Sequence, residues 1–348
     1  MASGARPRVP IDYGDVDLRS LAERIHSNIR TISELVLDDV SARSGGIEQL
    51  PVIVIAGPTG VGKSELAELV ARGCGAHIVS ADSMQVYRHM DIGTAKVAPG
   101  DRGVPYHCID MVDPGEAYSA ALFQRDARAA IDSAWAEGAN VVVCGGTGLY
   151  IRAALDDMEF PKGEQVRNPV REKYERYADE NGADALHGLL EERDPESAAL
   201  IHPHNVRRVV RALEMLEGGC SYAEQSSGMG EFVPYIDAVY IGLTMEVPNL
   251  YAAIDSRVDG MMEAGLLDEV RWLVDNGYRD AMTSMQAIGY KELVEVIDGH
   301  GRLDDAVDAI KRGTRRYSKR QRTWFRRDPR YVWYAVDSGD GELVAGRP

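Results

Sequence analysis

Cysteine is scarce: Cys74, Cys108, Cys144 and Cys220 are scattered, with no C-x-x-C pair among them. That excludes a zinc ribbon and a disulfide-stapled scaffold, and it suits a reducing compartment. Long apolar runs are also missing, so no segment reads as a membrane span. The N-terminal stretch MASGARPRVPIDYGDVD lacks the apolar core of a secretory signal. Both absences predict a cytoplasmic protein with no membrane partner. Basic charge is in deficit, with 39 Lys and Arg against 55 Asp and Glu and a net charge of −16. A generic basic nucleic-acid binder is thereby excluded, although a local basic surface is not. Internal repeats and low-complexity tracts are absent.

What is present is the composition of a globular protein: 348 residues, 45% hydrophobic and 27% charged, enough for one large domain or two small ones. Residues 1–17 are polar and read as mobile. Leu21, Ile25, Ile29, Ile32, Val36 and Val40 then recur at helical spacing. They predict an amphipathic helix docked on the body or offered to a partner, ended by the linker SARSGG (41–46). PVIVIAG (51–57), HIVSAD (77–82) and NVVVCGG (140–146) read as buried strands, with helices at 63–72 and 118–138 between them. The alternation predicts an α/β fold, a P-loop NTPase-like parallel sheet with helices on both faces. From about 160 to 234 charged helical segments replace strands, marking a helical insertion domain. DAVYIGLTM (237–245) returns as a strand, helices follow to about 327, and YVWYAV (331–336) reads as a last edge strand. The predicted organisation is an extension (1–50), a catalytic core (51–159 and 235–336), the insertion (160–234) and a frayed tail (337–348).

GPTGVGKS comprises Gly57, Pro58, Thr59, Gly60, Val61, Gly62, Lys63 and Ser64 and fits G-x-x-x-x-G-K-[ST] at every fixed position. The glycines let successive backbone N–H groups turn inward around a phosphate. The lysine neutralises its charge, and the serine hydroxyl is a ligand for Mg2+. The helix that follows adds its N-terminal dipole. This loop alone admits a hydrolase, a phosphotransferase, or an enzyme whose leaving group is diphosphate. The first is disfavoured, because NVVVCGGTG ends in glycines rather than a magnesium-binding aspartate and no guanine-reading motif is present. GPTGVGKS, ADSMQ and GGTGLY each follow a strand, so they should converge at the carboxyl edge of the sheet. Asp82, directly after the second strand, has two roles open to it: magnesium ligand or proton acceptor.

GPTGVGKS, DSMQVYRHMDIGTAK, YHCIDMVDPGEAYSAALFQRDA, GGTGLYIRAAL, RRVVRALE, QAIGYKE and KRGTRRYSKRQRTWFR occur in this order over residues 51–327. The series resembles the bacterial-type tRNA dimethylallyltransferases. The resemblance implies dimethylallyl diphosphate as donor, with its diphosphate in the cradle and Mg2+ as cofactor. It implies an acceptor in the tRNA anticodon stem-loop, the exocyclic N6 of the adenine 3′ to the anticodon, and a chain that acts as a monomer. On this reading the phosphate is discarded, not transferred. Asp82 matches the family's general base, Thr147 a position beside the reacting groups, and Arg257 an arginine that holds diphosphate. Ser83, Met84 and Gln85 match the segment that meets the flipped base. Arg171, Arg207, Arg208 and Arg211 match tRNA-contacting positions. The basic stretch 311–330 holds ten Lys and Arg against one Asp, with Tyr317, Trp324 and Phe325 interleaved, and suits an RNA backbone.

The chain departs from the family pattern in places. YHCID puts Tyr106 where a histidine is common, RRVVR puts Arg207 where a glutamine often sits, and Val247 and Pro248 occupy a usually charged segment. The first fifty residues have no usual counterpart, and every motif begins after them, so removing them is expected to leave the chemistry intact. The rival readings are an adenylate isopentenyltransferase, which would not need the insertion or the basic helix, a small-molecule kinase, and a non-catalytic RNA-binding module.

Overall fold

Five consecutive apolar residues, VIVIA, form β1 (Val52–Ala56), and every one of them is buried. A run apolar on both faces belongs in the middle of a parallel sheet covered on both sides. β2 (Ala76–Ser80), β3 (Tyr106–His107), β4 (Asn140–Gly145), β5 (Ala238–Thr244), β6 (Tyr331–Ala335) and β7 (Leu343–Val344) complete the sheet. The strand order is β3-β2-β4-β1-β5-β6-β7. The first six strands run parallel, and β7 pairs antiparallel with β6. This is the P-loop-type α/β architecture that the alternation predicted. The sequence reading missed β3, which has two residues, and β7 displaces β6 from the edge position. The computed structural model describes residues 16–44, 50–160, 168–228, 230–338 and 343–344. Most of the mobile segment expected at 1–17, the end of the 41–46 linker and most of the tail therefore lie outside the described residues.

The extension contributes α1 (Leu18–Ser44), which runs through most of the expected linker. Leu21, Ile29, Ile32, Val36 and Val40 are at most 4% exposed, and Ile25 is half-buried. Ile29, Ile32, Val36 and Val40, with Ile25 against them, join the core built from β1, α2 (Lys63–Cys74) and α10 (Val247–Glu263). Burying such a side chain contributes roughly 1.5–3 kcal/mol before ordering entropy is subtracted, which fixes the helix on the body. α3 (Ala120–Ala136) and α4 (Gly148–Leu155) flank β4 in sequence, and α11 (Leu266–Asp275), α12 (Tyr290–Ile297) and α13 (Leu303–Phe325) separate α10 from β6.

The chain divides into two compact units, the second being residues 119–121 and 156–235. That unit holds α5 (Pro169–Asn181), α6 (Ala183–Arg193), α7 (Pro195–Leu200), α8 (Val206–Glu217) and α9 (Tyr222–Gly228). Tyr174, Leu186, Leu190, Val209 and Leu213 form a core of its own. Asn168 caps α5 by accepting the Val170 N–H at 3.0 Å, and Asp194 caps α7 by accepting the Ser197 N–H at 3.0 Å. Among the described residues, no helix is long and apolar enough to cross a membrane.

Candidate active site

Register brings the three loops together. Ala56 lies beside Gly145, and Ser80 lies beside Cys144, so the loops after β1, β2 and β4 leave the sheet side by side. The Ala81 N–H donates to the Cys144 carbonyl at 2.8 Å, and the Thr147 N–H donates to the Ala81 carbonyl at 3.1 Å. Glycine is obligatory at 145, because a Cβ there would stand 2.1 Å from the Ala81 carbonyl oxygen. That close approach sets Asp82 and Thr147 on adjoining loops.

Beyond these strand ends opens a cavity of about 560 Å³, within the usual range for a small-molecule site. Thr59, Gly60, Gly62, Lys63 and Ser64 line it from the phosphate loop, Asp82, Ser83, Met84 and Gln85 from the loop after β2, and Arg257 from α10. Gly57, Pro58 and Val61 are buried behind the lining. Thr147 supports the wall: its Oγ1 accepts the Ser83 N–H at 3.1 Å. Ile78, Ile254, Val258, Met261, Leu266 and Ile288 give the same cavity an apolar wall.

The electrostatics are those of an anion site. Lys63 donates to the Pro58 carbonyl at 2.7 Å. Desolvation lowers its pKa from the ordinary 10.5 to about 8; Arg257 pushes the same way, while Cys144 and Asp82 oppose. Arg257 keeps contact with solvent, yet the protein crowded around it lowers its pKa, with the Asp82 charge acting in the opposite direction. Two cations held below their ordinary affinity for protons gain from an arriving phosphate. Asp82 Oδ1 accepts the Met84 N–H at 2.9 Å, which fixes the carboxylate at the head of its loop. Burial pushes the Cys144 thiol up to about 12, so it is no nucleophile here.

Two side chains that sequence reasoning passed over hold this arrangement. Buried Gln321 on α13 accepts the Thr59 N–H at 2.9 Å and donates to the Gly146 carbonyl at 3.0 Å, joining the phosphate loop to the loop after β4. It lies inside the basic stretch, where the cations and interleaved aromatics carry the pattern and a lone amide carries none. Glu269 on α11 accepts the N–H groups of Asp91, Ile92 and Gly93 at 2.8, 2.7 and 3.1 Å and the Tyr290 hydroxyl at 2.7 Å. Nothing in LLDEV announces that role. Gln85 accepts from the Ser80 hydroxyl at 2.8 Å and donates to the Thr94 carbonyl at 3.1 Å, so its amide shapes the loop.

Of the basic candidates, Arg171, Arg207, Arg208 and Arg211 lie in the helical unit, and none of them is among the residues that line the cavity. Arg207 and Arg208 are exposed on α8. Arg171 and Arg211 both pair with the buried carboxylate of Glu214, at 2.9 and 2.7 Å. On α13, Arg315 turns inward to Asp255 at 2.5 Å and Lys311 pairs with Asp259 at 2.6 Å. Arg316, Lys319 and Arg320 are exposed. Tyr317 lines the cavity, Phe325 is buried and Trp324 is 36% exposed. The basic stretch is thus only partly a free cationic surface.

Mg2+ can be tested against the residues present. Among the described residues no three His, Cys, Asp or Glu cluster as a ready cage. Ser64 and Asp82 nevertheless line the cavity with hard oxygen donors. Mg2+ commonly takes one or two protein oxygens and completes its shell with phosphate and water, so the donor set fits.

Fold and cavity together define a P-loop enzyme whose cradle shares its cavity with Asp82 and an apolar wall. The IPP transferase family profile matches residues 85–328, and the isopentenyl transferase profile matches residues 50–101. The chain is 46% identical over 297 residues to the tRNA dimethylallyltransferase of Carboxydothermus hydrogenoformans, covering 84% of this chain and 93% of that protein. It is 46% identical over 286 residues to the tRNA dimethylallyltransferase of Bacillus subtilis, covering 82% and 90%. Among solved structures, the tRNA isopentenylpyrophosphate transferase of Bacillus halodurans matches with a TM-score of 0.59 at 41% identity, covering 82% of this chain and 90% of that one. A eukaryotic dimethylallyltransferase acting on tRNA matches with a TM-score of 0.69 at 28% identity, covering 82% and 74%. The chain belongs to the IPP transferase family, and it is an enzyme of the prenyl-transferring class.

Proposed function

We propose that this enzyme transfers a dimethylallyl group from dimethylallyl diphosphate to N6 of the adenine 3′ to the anticodon, in tRNAs reading codons that begin with U. The observation that carries this reading is the meeting of an intact phosphate loop, Asp82 and an apolar wall in one cavity. A diphosphate suits the loop and a short branched hydrocarbon suits the wall. An RNA-binding module would have no use for the loop.

The chemistry follows from the residues. The amine lone pair of adenine is delocalised into the ring, so N6 is a poor nucleophile until its proton is taken. Asp82 accepts that proton as the N6–carbon bond forms. The bond from the same carbon to the diphosphate oxygen breaks, and the electron pair leaves with diphosphate. The inward N–H groups of the loop, Lys63 and Arg257 stabilise the charge that builds there. Thr147 positions the Ser83 segment, along which Ser83, Met84 and Gln85 receive the extruded base. Ser64, with Asp82 near it on the cavity wall, would hold Mg2+, which when bound supplies further charge neutralisation on the diphosphate. Exposed Arg207 and Arg208, with Arg171 and Arg211 held on Glu214 in the same unit, supply the cations for the anticodon stem.

The test is to incubate the protein with labelled dimethylallyl diphosphate and either an anticodon stem-loop or AMP. Label should enter the stem-loop and be lost when the adenine 3′ to the anticodon is replaced. Equal or faster labelling of AMP would move the assignment to the adenylate isopentenyltransferases.

A further inference from the structure

The extension, expected to be dispensable, touches the phosphate loop. Gly62 sits in the left-handed region with φ +86°, and the place its Cβ would take is 2.4 Å from Cδ1 of Ile29, with Ile25 also in contact. Ile29 is wholly buried. One helical turn earlier, His26 pairs with Glu65 in the first turn of α2, two residues beyond Lys63. Asn28, on the buried face, donates to the carbonyls of Val336 and Ser338 at 2.9 and 2.7 Å. Between those two residues, Asp337 accepts the Glu246 N–H at 3.0 Å and the Asn249 amide at 2.7 Å, which fastens the start of α10. α10 carries Arg257. One helix therefore touches the phosphate loop that carries Lys63 and, through the 336–338 segment, the start of the helix that carries Arg257.

We propose that α1 is a positioning element for the donor site, with Ile29 holding the phosphate loop in its binding form. The proposal rests on the function argued above. A glycine in the left-handed region has many alternative conformations within reach, and the loop binds phosphate only while its N–H groups point inward. Packing Ile29 against Gly62 removes the alternatives. Without it, the competent fraction of loops falls, and donor affinity falls by the same factor. Chemistry on the bound complex is unaffected.

The experiment uses the full chain with Ile29→Ala, Ile29→Val and, as control, Ile32→Ala, an equally buried residue of the same helix. Ile29→Ala should raise the KM for dimethylallyl diphosphate about tenfold, with kcat and the KM for tRNA within about twofold of wild type. Ile29→Val removes only the Cδ1 that meets Gly62 and keeps the rest of the side chain, so it should raise the donor KM by a smaller, intermediate factor. Ile32→Ala should lower the thermal midpoint comparably and leave the donor KM alone. The same donor KM in Ile29→Ala and Ile32→Ala would overturn the proposal. Should Ile29→Ala fail to fold, Ile29→Val must show a rise of about twofold in donor KM, and wild-type behaviour would overturn the proposal. Calorimetric titration with magnesium diphosphate separates this inference from the function. Wild-type protein that binds diphosphate but prenylates nothing defeats the function, and the brace is then judged on diphosphate affinity across the same variants.

Discussion

Two loops at the carboxyl edge of the sheet face the same cavity and are built in opposite ways. The phosphate loop, 57–64, is shaped by its backbone: Gly57, Gly60 and Gly62 all have positive φ. The loop after β2 is shaped by side chains from far away. Glu269 gathers three successive N–H groups, and the buried ammonium of Lys96 reaches Asp91 and Asp110 at 2.8 and 2.6 Å. His89 and Ala95 in this loop, and Cys108 and Asp110 just after β3, hold positive φ without being glycine, a conformation that persists only where the surroundings over-determine it. The first loop must wrap an anion, so its glycines set the turn while Gln321 and Ile29 brace it from outside. The second must hold one carboxylate and a bed for a large substrate, and it needs a scaffold.

The largest effect should come from the head of the scaffolded loop. Asp82→Asn keeps the shape and removes the basicity, so kcat should fall about 10²–10⁴-fold. Single-turnover rates with saturating tRNA and donor measure this directly, and affinity for both substrates should hardly move. A defect that appears in donor affinity and recedes at high magnesium would instead make Asp82 chiefly a metal ligand. Near-normal turnover would remove it from the chemistry.

Glu269→Ala strikes the scaffold itself. Three loop N–H groups and the Tyr290 hydroxyl lose their acceptor. Water replaces part of it, leaving a cost of about 2–3 kcal/mol, or roughly 30- to 150-fold in the folding equilibrium. Denaturant titration should show the loss, and amides 91–93 should exchange much faster. Unchanged exchange there would mean that the loop is self-supporting, and the contrast between the two loops would fail.

This contrast also explains what could be read from the chain. The phosphate loop was legible because its glycines, Lys63 and Ser64 carry their signature within eight residues. The parallel sheet was legible from VIVIA and NVVVCGG, whose apolar runs report burial on both faces. β3 was not, because Tyr106 and His107 are too few to carry a pattern. Asp82 was placed by its strand, but its role came from resemblance alone. Glu269 and Gln321 were invisible because each acts across more than 170 residues of chain. Arg315 was read as part of a free basic surface, whereas Asp255, 60 residues away in the sequence, draws it inward.

The smallest effect sharpens the contrast from the side of the phosphate loop. There the only titrating side chain the mechanism uses is Lys63, held at about 8 by desolvation. Its folded pKa is depressed, so between about 8 and 10.5 the unfolded chain binds the extra proton and this group adds stability as pH rises. Binding runs the other way. An arriving diphosphate favours the charged ammonium and raises its pKa, so donor binding above pH 8 must take up a proton. Donor affinity should therefore fall up to about tenfold per pH unit above 8, where an ordinary exposed lysine would still be fully charged. The donor's own phosphate titration, near pH 6, is complete before this window opens. Calorimetric titration of dimethylallyl diphosphate from pH 7 to about 9.5, in buffers of different ionisation enthalpy, reads both the affinity and the proton. Lys63→Arg, charged throughout that range, should bind without proton uptake and flatten the profile. A wild-type affinity that holds level to the top of the range would mean that Lys63 keeps its charge unaided, and that the loop's backbone alone does not set the lysine's environment.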